Sequence, residues 1–120
     1  MHLAWVGREY FEQIIWQWEG VPGGGPCGTH APGSLHGQHF PSGRGKAWDS
    51  YADTGDAKRD AQSMYNFAAW LHRHAGKWLT EGIHNPNLSI KYGQVRDPSF
   101  WGSDGKTWDN HRDHVHCGIE

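Results

Sequence analysis

Little cysteine, no long apolar run and no excess of either charge: each of these shortages removes a class of function. Two cysteines in 120 residues, Cys27 and Cys117, are too few for a disulfide-built scaffold, and neither belongs to a C-x-x-C pair. Their positions leave open whether they bridge one another. No stretch approaches the ~20 apolar residues that a membrane-spanning helix requires, and the first residues lack the basic-then-apolar pattern of a secretory signal. The expectation is a chain with no membrane span, made in the cytoplasm without the general export route. The formal charge of −2, with histidines neutral, offers no basic footprint for nucleic acid.

Histidine, tryptophan and glycine, by contrast, are plentiful, at ten, eight and seventeen residues. Glycine at this frequency implies many turns and irregular loops. Tryptophan compensates, because each indole buries a large area and lets a small core hold together. Most of the tryptophans read as core, and Trp108, in the Gly-rich C-terminal half, is the candidate to line a substrate groove. The length suits one domain, residues 1–120, with no internal repeat and no linker. A monomer is expected.

The periodicities predict an α+β domain with two main helices and a small antiparallel sheet. Leu3, Val6, Tyr10, Phe11, Ile14, Ile15 and Trp18 recur at helical spacing, which predicts a helix over residues 3–19. "GVPGGGPCGTHAPGS" (20–34) breaks it and must be loop. In "LHGQHFPSGRGKAWDSYA" the middle, Pro41 to Gly45, is turn chemistry and "KAWDSYA" suits a strand, so a hairpin with a long tip is expected. Asp56 is placed to cap a second helix carrying Ala57, Ala61, Met64, Tyr65, Ala68, Leu71 and Ala75 along one stripe, with Gly76 placed to end it. "NPN" (85–87) is a turn, "LSIKY" alternates like a half-buried strand, and "SFWGSDGKTW" holds another turn before a final strand.

That final stretch, "NHRDHVHCGIE" (110–120), puts three histidines and two acids close together near the end of the sequence. In extended chain successive side chains alternate between faces. Val115, Cys117 and Ile119 then form an apolar face, while His114 and His116 share the other. A solvated His-rich tail would not alternate in this way. Two imidazoles on one strand face suggest a metal site, and zinc in a catalytic site takes three protein ligands and leaves one position open. Further ligand candidates lie upstream, at His36, His39 and Asp49; Asp49 shares its strand face with the small Ala47, which leaves room for an ion. His72 and His74 are two apart on a helix and cannot face each other. His30 and His84 sit in presumed loops with no second ligand nearby in sequence.

"THAPGSLH…GRGKAWD" followed far downstream by "DHVH" resembles the zinc peptidases of the D-Ala-D-Ala carboxypeptidase type, a group that shares a core with hedgehog domains and is common in phage endolysins. Ser34, His36, Gly45, Ala47 and Asp49 match the first motif of that group, and Asp113 and His116 match the second. The resemblance implies a hedgehog/DD-peptidase-like fold and a Zn2+ ion held by His36, Asp49 and His116. It also implies catalytic work by Asp113 and His114, as an endopeptidase or carboxypeptidase on bacterial peptidoglycan. The enzyme would be made in the host cytoplasm and reach the cell wall after release.

Four departures accompany the match. Twelve residues separate His36 from Asp49, twice the usual number, which leaves His39 as a rival ligand. The acid is Asp113 where the carboxypeptidases generally carry Glu. His114 takes the position of the base in the related H-x-H enzymes. The upstream Tyr-Arg substrate clamp has no counterpart, so Arg44 is the candidate substitute, with Arg112 as a rival. Two other readings remain: a zinc-containing module that binds cell wall without cutting it, and an HNH-type nuclease. The acid and base beside an open metal position argue against the first. The four residues after "DHVH" do not supply the downstream Asn and His of the second.

Overall fold

Asp56 opens the long helix through its side chain, which accepts from the backbone N–H groups of Lys58 and Arg59, so two otherwise unpaired donors of the first turn are satisfied. This helix, α1, runs Ala57–Ala75 in the computed structural model, which describes residues 46–119, the strand Ile14–Gln17, and the single positions Leu35, Gln38 and Pro41. Gly76 follows α1 as expected but with right-handed geometry (φ −54°), and the chain tightens into a 3-10 turn, Gly76–Trp78. The buried stripe of α1 consists of Asp60, Ser63, Met64, Phe67, Ala68, Leu71 and Ala75. Met64, Ala68, Leu71 and Ala75 are buried as expected, whereas Ala57, Ala61 and Tyr65 are exposed and Phe67 is fully buried in addition.

Among the described residues six strands form one antiparallel sheet: β1 (Ile14–Gln17), β2 (Ala47–Ala52), β3 (Glu81–His84), β4 (Leu88–Lys91), β5 (Gln94–Val95) and β6 (Val115–Gly118), in the spatial order β1-β2-β6-β3-β4-β5. A one-turn helix, α2 (Lys106–Asp109), precedes β6. The coarse expectation of an α+β domain with a small antiparallel sheet therefore holds.

One detail of that expectation is corrected. Residues 14–17, assigned to a helix by their spacing, form β1, and Ile14 to Gln17 pair with Ala52 to Asp49. The other residues of that expected helix lie outside the described ones. β2 has β1 on one side and β6 on the other, and the first arm and tip of the expected hairpin lie, apart from Leu35, Gln38 and Pro41, outside the described residues. Just before β2 the Lys46 N–H donates to the Gln38 carbonyl.

The two faces of the sheet have separate tasks. Trp48 and Ala52 of β2, Val115 and Cys117 of β6, and Leu88 and Ile90 of β4 point toward α1 and pack with Met64, Phe67, Ala68, Leu71 and Ala75 into the core. Alternation then sends Asp49, His116, Glu81 and Ile83 to the opposite face. Because the last strand is inserted between β2 and β3, His116 sits near the middle of that second face. Gly118 has a packing role there, because a Cβ on it would lie 2.6 Å from the Leu35 side chain. Gly93 closes the β4–β5 turn at φ +72°, where a Cβ would meet the Lys77 carbonyl at 2.7 Å.

Candidate metal centre

The register of β2 and β6 places Asp49 directly opposite His116. Their side chains meet, with His116 Nδ1 3.2 Å from Asp49 Oδ1, and the other ring nitrogen, Nε2, donates to Glu81 Oε2 at 2.8 Å. Burial disfavours charge on this imidazole, but the Asp49 and Glu81 carboxylates outweigh it and hold its pKa up at about 9. Glu81 answers in kind. Burial would raise its carboxyl, while the hydrogen bonds from His116 and Lys91 lower it to about 2.

His114 precedes β6 and reaches the same pole from the side. Its Nε2 lies 3.9 Å from Asp49 Oδ1, and its Nδ1 is 2.7 Å from Asp113 Oδ1. The Asp113 side chain is 86% exposed, so its contact with the site runs through His114. The segment carrying both is gripped from behind: His84 Nδ1–H donates to the His114 carbonyl, and the Asn85 N–H donates to the His111 carbonyl. His84, expected in a loop, is the last residue of β3 and is buried; burial lowers its pKa.

Two residues at this centre were not expected from sequence. Glu81 is one. His111 is the other: its ring lies 4.6 Å from that of His114 and 5.8 Å from that of His116, centroid to centroid. Its Nδ1–H donates to the Thr107 carbonyl in α2, which leaves Nε2 as a lone pair. Burial, reinforced by the neighbouring imidazoles, lowers its pKa to about 4, so it is neutral at pH 7. A histidine in the turn before a strand gives no periodic signal, and Glu81 is drawn in only by the pairing of β3 with β6.

The other expected site residues fall as follows. His36, His39 and Arg44 lie outside the described residues. Leu35, one residue before His36 in sequence, packs on Gly118, two residues after His116. Trp108 is half-buried, and with the Asn85 amide turned to satisfy its neighbours, the Asn85 oxygen accepts from Trp108 Nε1 (3.1 Å) and Arg112 Nη2 (3.3 Å). Arg112 also pairs loosely with Asp109 at 3.5 Å, and both are exposed. Cys117 carries a free, buried thiol on the core face.

The spacing of Asp49 and His116 is close to that of two ligand atoms on one metal ion. Tetrahedral Zn2+ with ordinary Zn–N and Zn–O bonds holds two ligand atoms roughly 3.3–3.5 Å apart. The Asp49 Oδ1 to His116 Nδ1 separation of 3.2 Å is within a small adjustment of this. Among the described residues there is no group of three or more His, Cys, Asp or Glu side chains arranged to hold a metal. No helix among them is long and apolar enough to cross a membrane. No protein-family model, curated protein or solved structure matches the chain.

Proposed function

We propose that the protein is a zinc-dependent peptidase that cuts the peptide stems or cross-links of bacterial peptidoglycan. Its fold would be of the hedgehog/DD-peptidase-like kind and its source a phage endolysin. The observation that carries this reading is the cross-strand pair Asp49–His116, with His114 beside it and Asp113 behind His114. Asp49 and His116 would hold the ion, with His36 as the third ligand. A zinc ion bound there supplies Lewis acidity, polarising a peptide carbonyl and acidifying water.

The chain's own residues divide the remaining work. His114 Nε2 faces the metal pole and is the atom placed to take a proton from water and return it to the leaving amine. Asp113 accepts from His114 Nδ1–H, which fixes the ring's orientation and leaves Nε2 as the lone-pair nitrogen. The proton work therefore shifts from Asp113, the acid of the carboxypeptidase motif, toward His114. His84, by holding the His114 carbonyl, keeps the base from swinging away.

Purified peptidoglycan incubated with the zinc-loaded protein, followed by mass spectrometry of the new amino and carboxyl termini, tests the reading. New peptide termini that vanish on chelation support it. Zinc bound at one per chain with no new termini would replace it with the wall-binding module.

A further inference from the structure

We propose that Glu81 is a positioning residue that fixes His116 for metal binding, and that Lys91 in turn fixes Glu81. The inference rests on the reading of Asp49 and His116 as metal ligands. It goes beyond that reading because neither Glu81 nor Lys91 belongs to either motif of the resemblance.

The geometry is that of a relay across four strands. Lys91 and Glu81 are directly opposed in the β3–β4 register, and Lys91 Nζ donates to Glu81 Oε1 at 2.7 Å. This occupies one carboxylate oxygen and leaves Oε2 to accept from His116 Nε2 at 2.8 Å. Across from Glu81 on β6 stands Gly118, which has no side chain to compete for the space through which Glu81 reaches His116. The two ring nitrogens of an imidazole point to opposite sides. With Nε2–H committed to Glu81, Nδ1 is turned toward Asp49, 3.2 Å away. Glu81 is therefore behind the ring, where it can hold the ligand but cannot itself reach an ion shared by Asp49 and Nδ1. A carboxylate on the far nitrogen of a ligating histidine fixes its tautomer and orientation and raises its basicity, and loss of such a partner costs ~10–100-fold in metal affinity.

Zinc dissociation constants measured by chelator competition on wild type, Glu81→Ala, Glu81→Gln and Lys91→Met test this, together with 15N NMR of the His116 ring in the zinc-free protein. Glu81→Ala should weaken zinc ~10–100-fold and remove the slowly exchanging Nε2–H signal. Glu81→Gln keeps an amide oxygen that can accept from Nε2–H, so it should restore part of the affinity and the signal. Lys91→Met should fall between Glu81→Gln and wild type. Unchanged zinc affinity in Glu81→Ala, with wild type binding one zinc, would overturn the positioning role and leave the metal site standing. If wild type binds no zinc while the Nε2–H signal still depends on Glu81, the site reading and this inference both fall, and Glu81 is only a structural partner. Should Glu81→Ala not fold by far-UV circular dichroism, the isosteric Glu81→Gln and Lys91→Met decide, and wild-type affinity in both would overturn the proposal.

Discussion

His116 and Asp49 stand opposite each other on adjacent antiparallel strands, with Nδ1 and Oδ1 3.2 Å apart on the sheet face that the core does not use. The pair joins residues 67 positions apart in sequence, and everything proposed for this protein depends on it.

One zinc per chain is the first expected outcome, by elemental analysis of protein purified without added metal. Asp49→Ala and His116→Ala should each empty the site, because each removes a donor atom and not merely a neighbour of one. A ratio well below one that added zinc does not restore would remove the metal reading altogether.

The second prediction separates the two residues proposed to handle protons. His114→Ala should retain zinc and lose peptidoglycan hydrolysis by ~10²–10⁴-fold, the usual contribution of a general acid–base group. Asp113→Ala should lose less, since Asp113 acts through His114 Nδ1 and its carboxylate is largely in water. A larger loss in Asp113→Ala than in His114→Ala would return the proton work to the acid.

Parts of this arrangement are legible in sequence, and the failures have physical causes. The alternation of Val115 and Cys117 against His114 and His116 is a local property of an extended chain, so it reads correctly. The cap at Asp56 is local too. The stripe of α1 reads correctly at Met64, Ala68, Leu71 and Ala75 and fails in the first turns, where alanine is a weak marker: Ala57 and Ala61 face solvent, while Asp60, which looks like a surface residue, is buried where it accepts from Thr54 N–H and Oγ1–H. Ile14 to Gln17 sit in a helical pattern, but pairing with β2 overrides it, as tertiary context often does for β-branched and aromatic residues. Glu81 could not be found, because the strand register that brings it to His116 joins residues 35 apart.

Stability of the frame provides a third test. Phe67→Ala, at a fully buried site between α1 and the sheet, should cost ~3–5 kcal/mol in urea unfolding. Asp56→Ala removes only the cap and should cost ~0.5–2 kcal/mol. Both losses should appear in zinc-free protein. A cost below ~1 kcal/mol for Phe67→Ala would mean that α1 does not pack on the sheet as described.

The last prediction concerns pH, and its sign follows from the directions of three histidine shifts. In metal-free protein His116 is raised from 6.5 to about 9 by its two carboxylates, so its contribution to stability is complete below about 6.5 and is lost as pH rises through about 9. His111, lowered from 6.5 to about 4, and His84, also lowered, work the other way: they are buried neutral, so stability falls as pH drops below about 6.5 and the unfolded chain takes up their protons. The melting temperature of the metal-free protein should therefore peak near pH 6.5 and decline on both sides. Glu81, held at about 2, adds a constant contribution above 4.5 and so does not move that peak. His116→Gln should flatten the alkaline limb and leave the acid limb in place. Zinc bound as proposed would compete with the His116 proton for Nδ1, so its affinity should climb about tenfold per pH unit up to about 9 and then level off. Calorimetry across pH 5–10 on wild type and His116→Gln, each with chelator, measures the limbs. An alkaline decline that persists unchanged in His116→Gln would show that His116 does not carry the charge between Asp49 and Glu81.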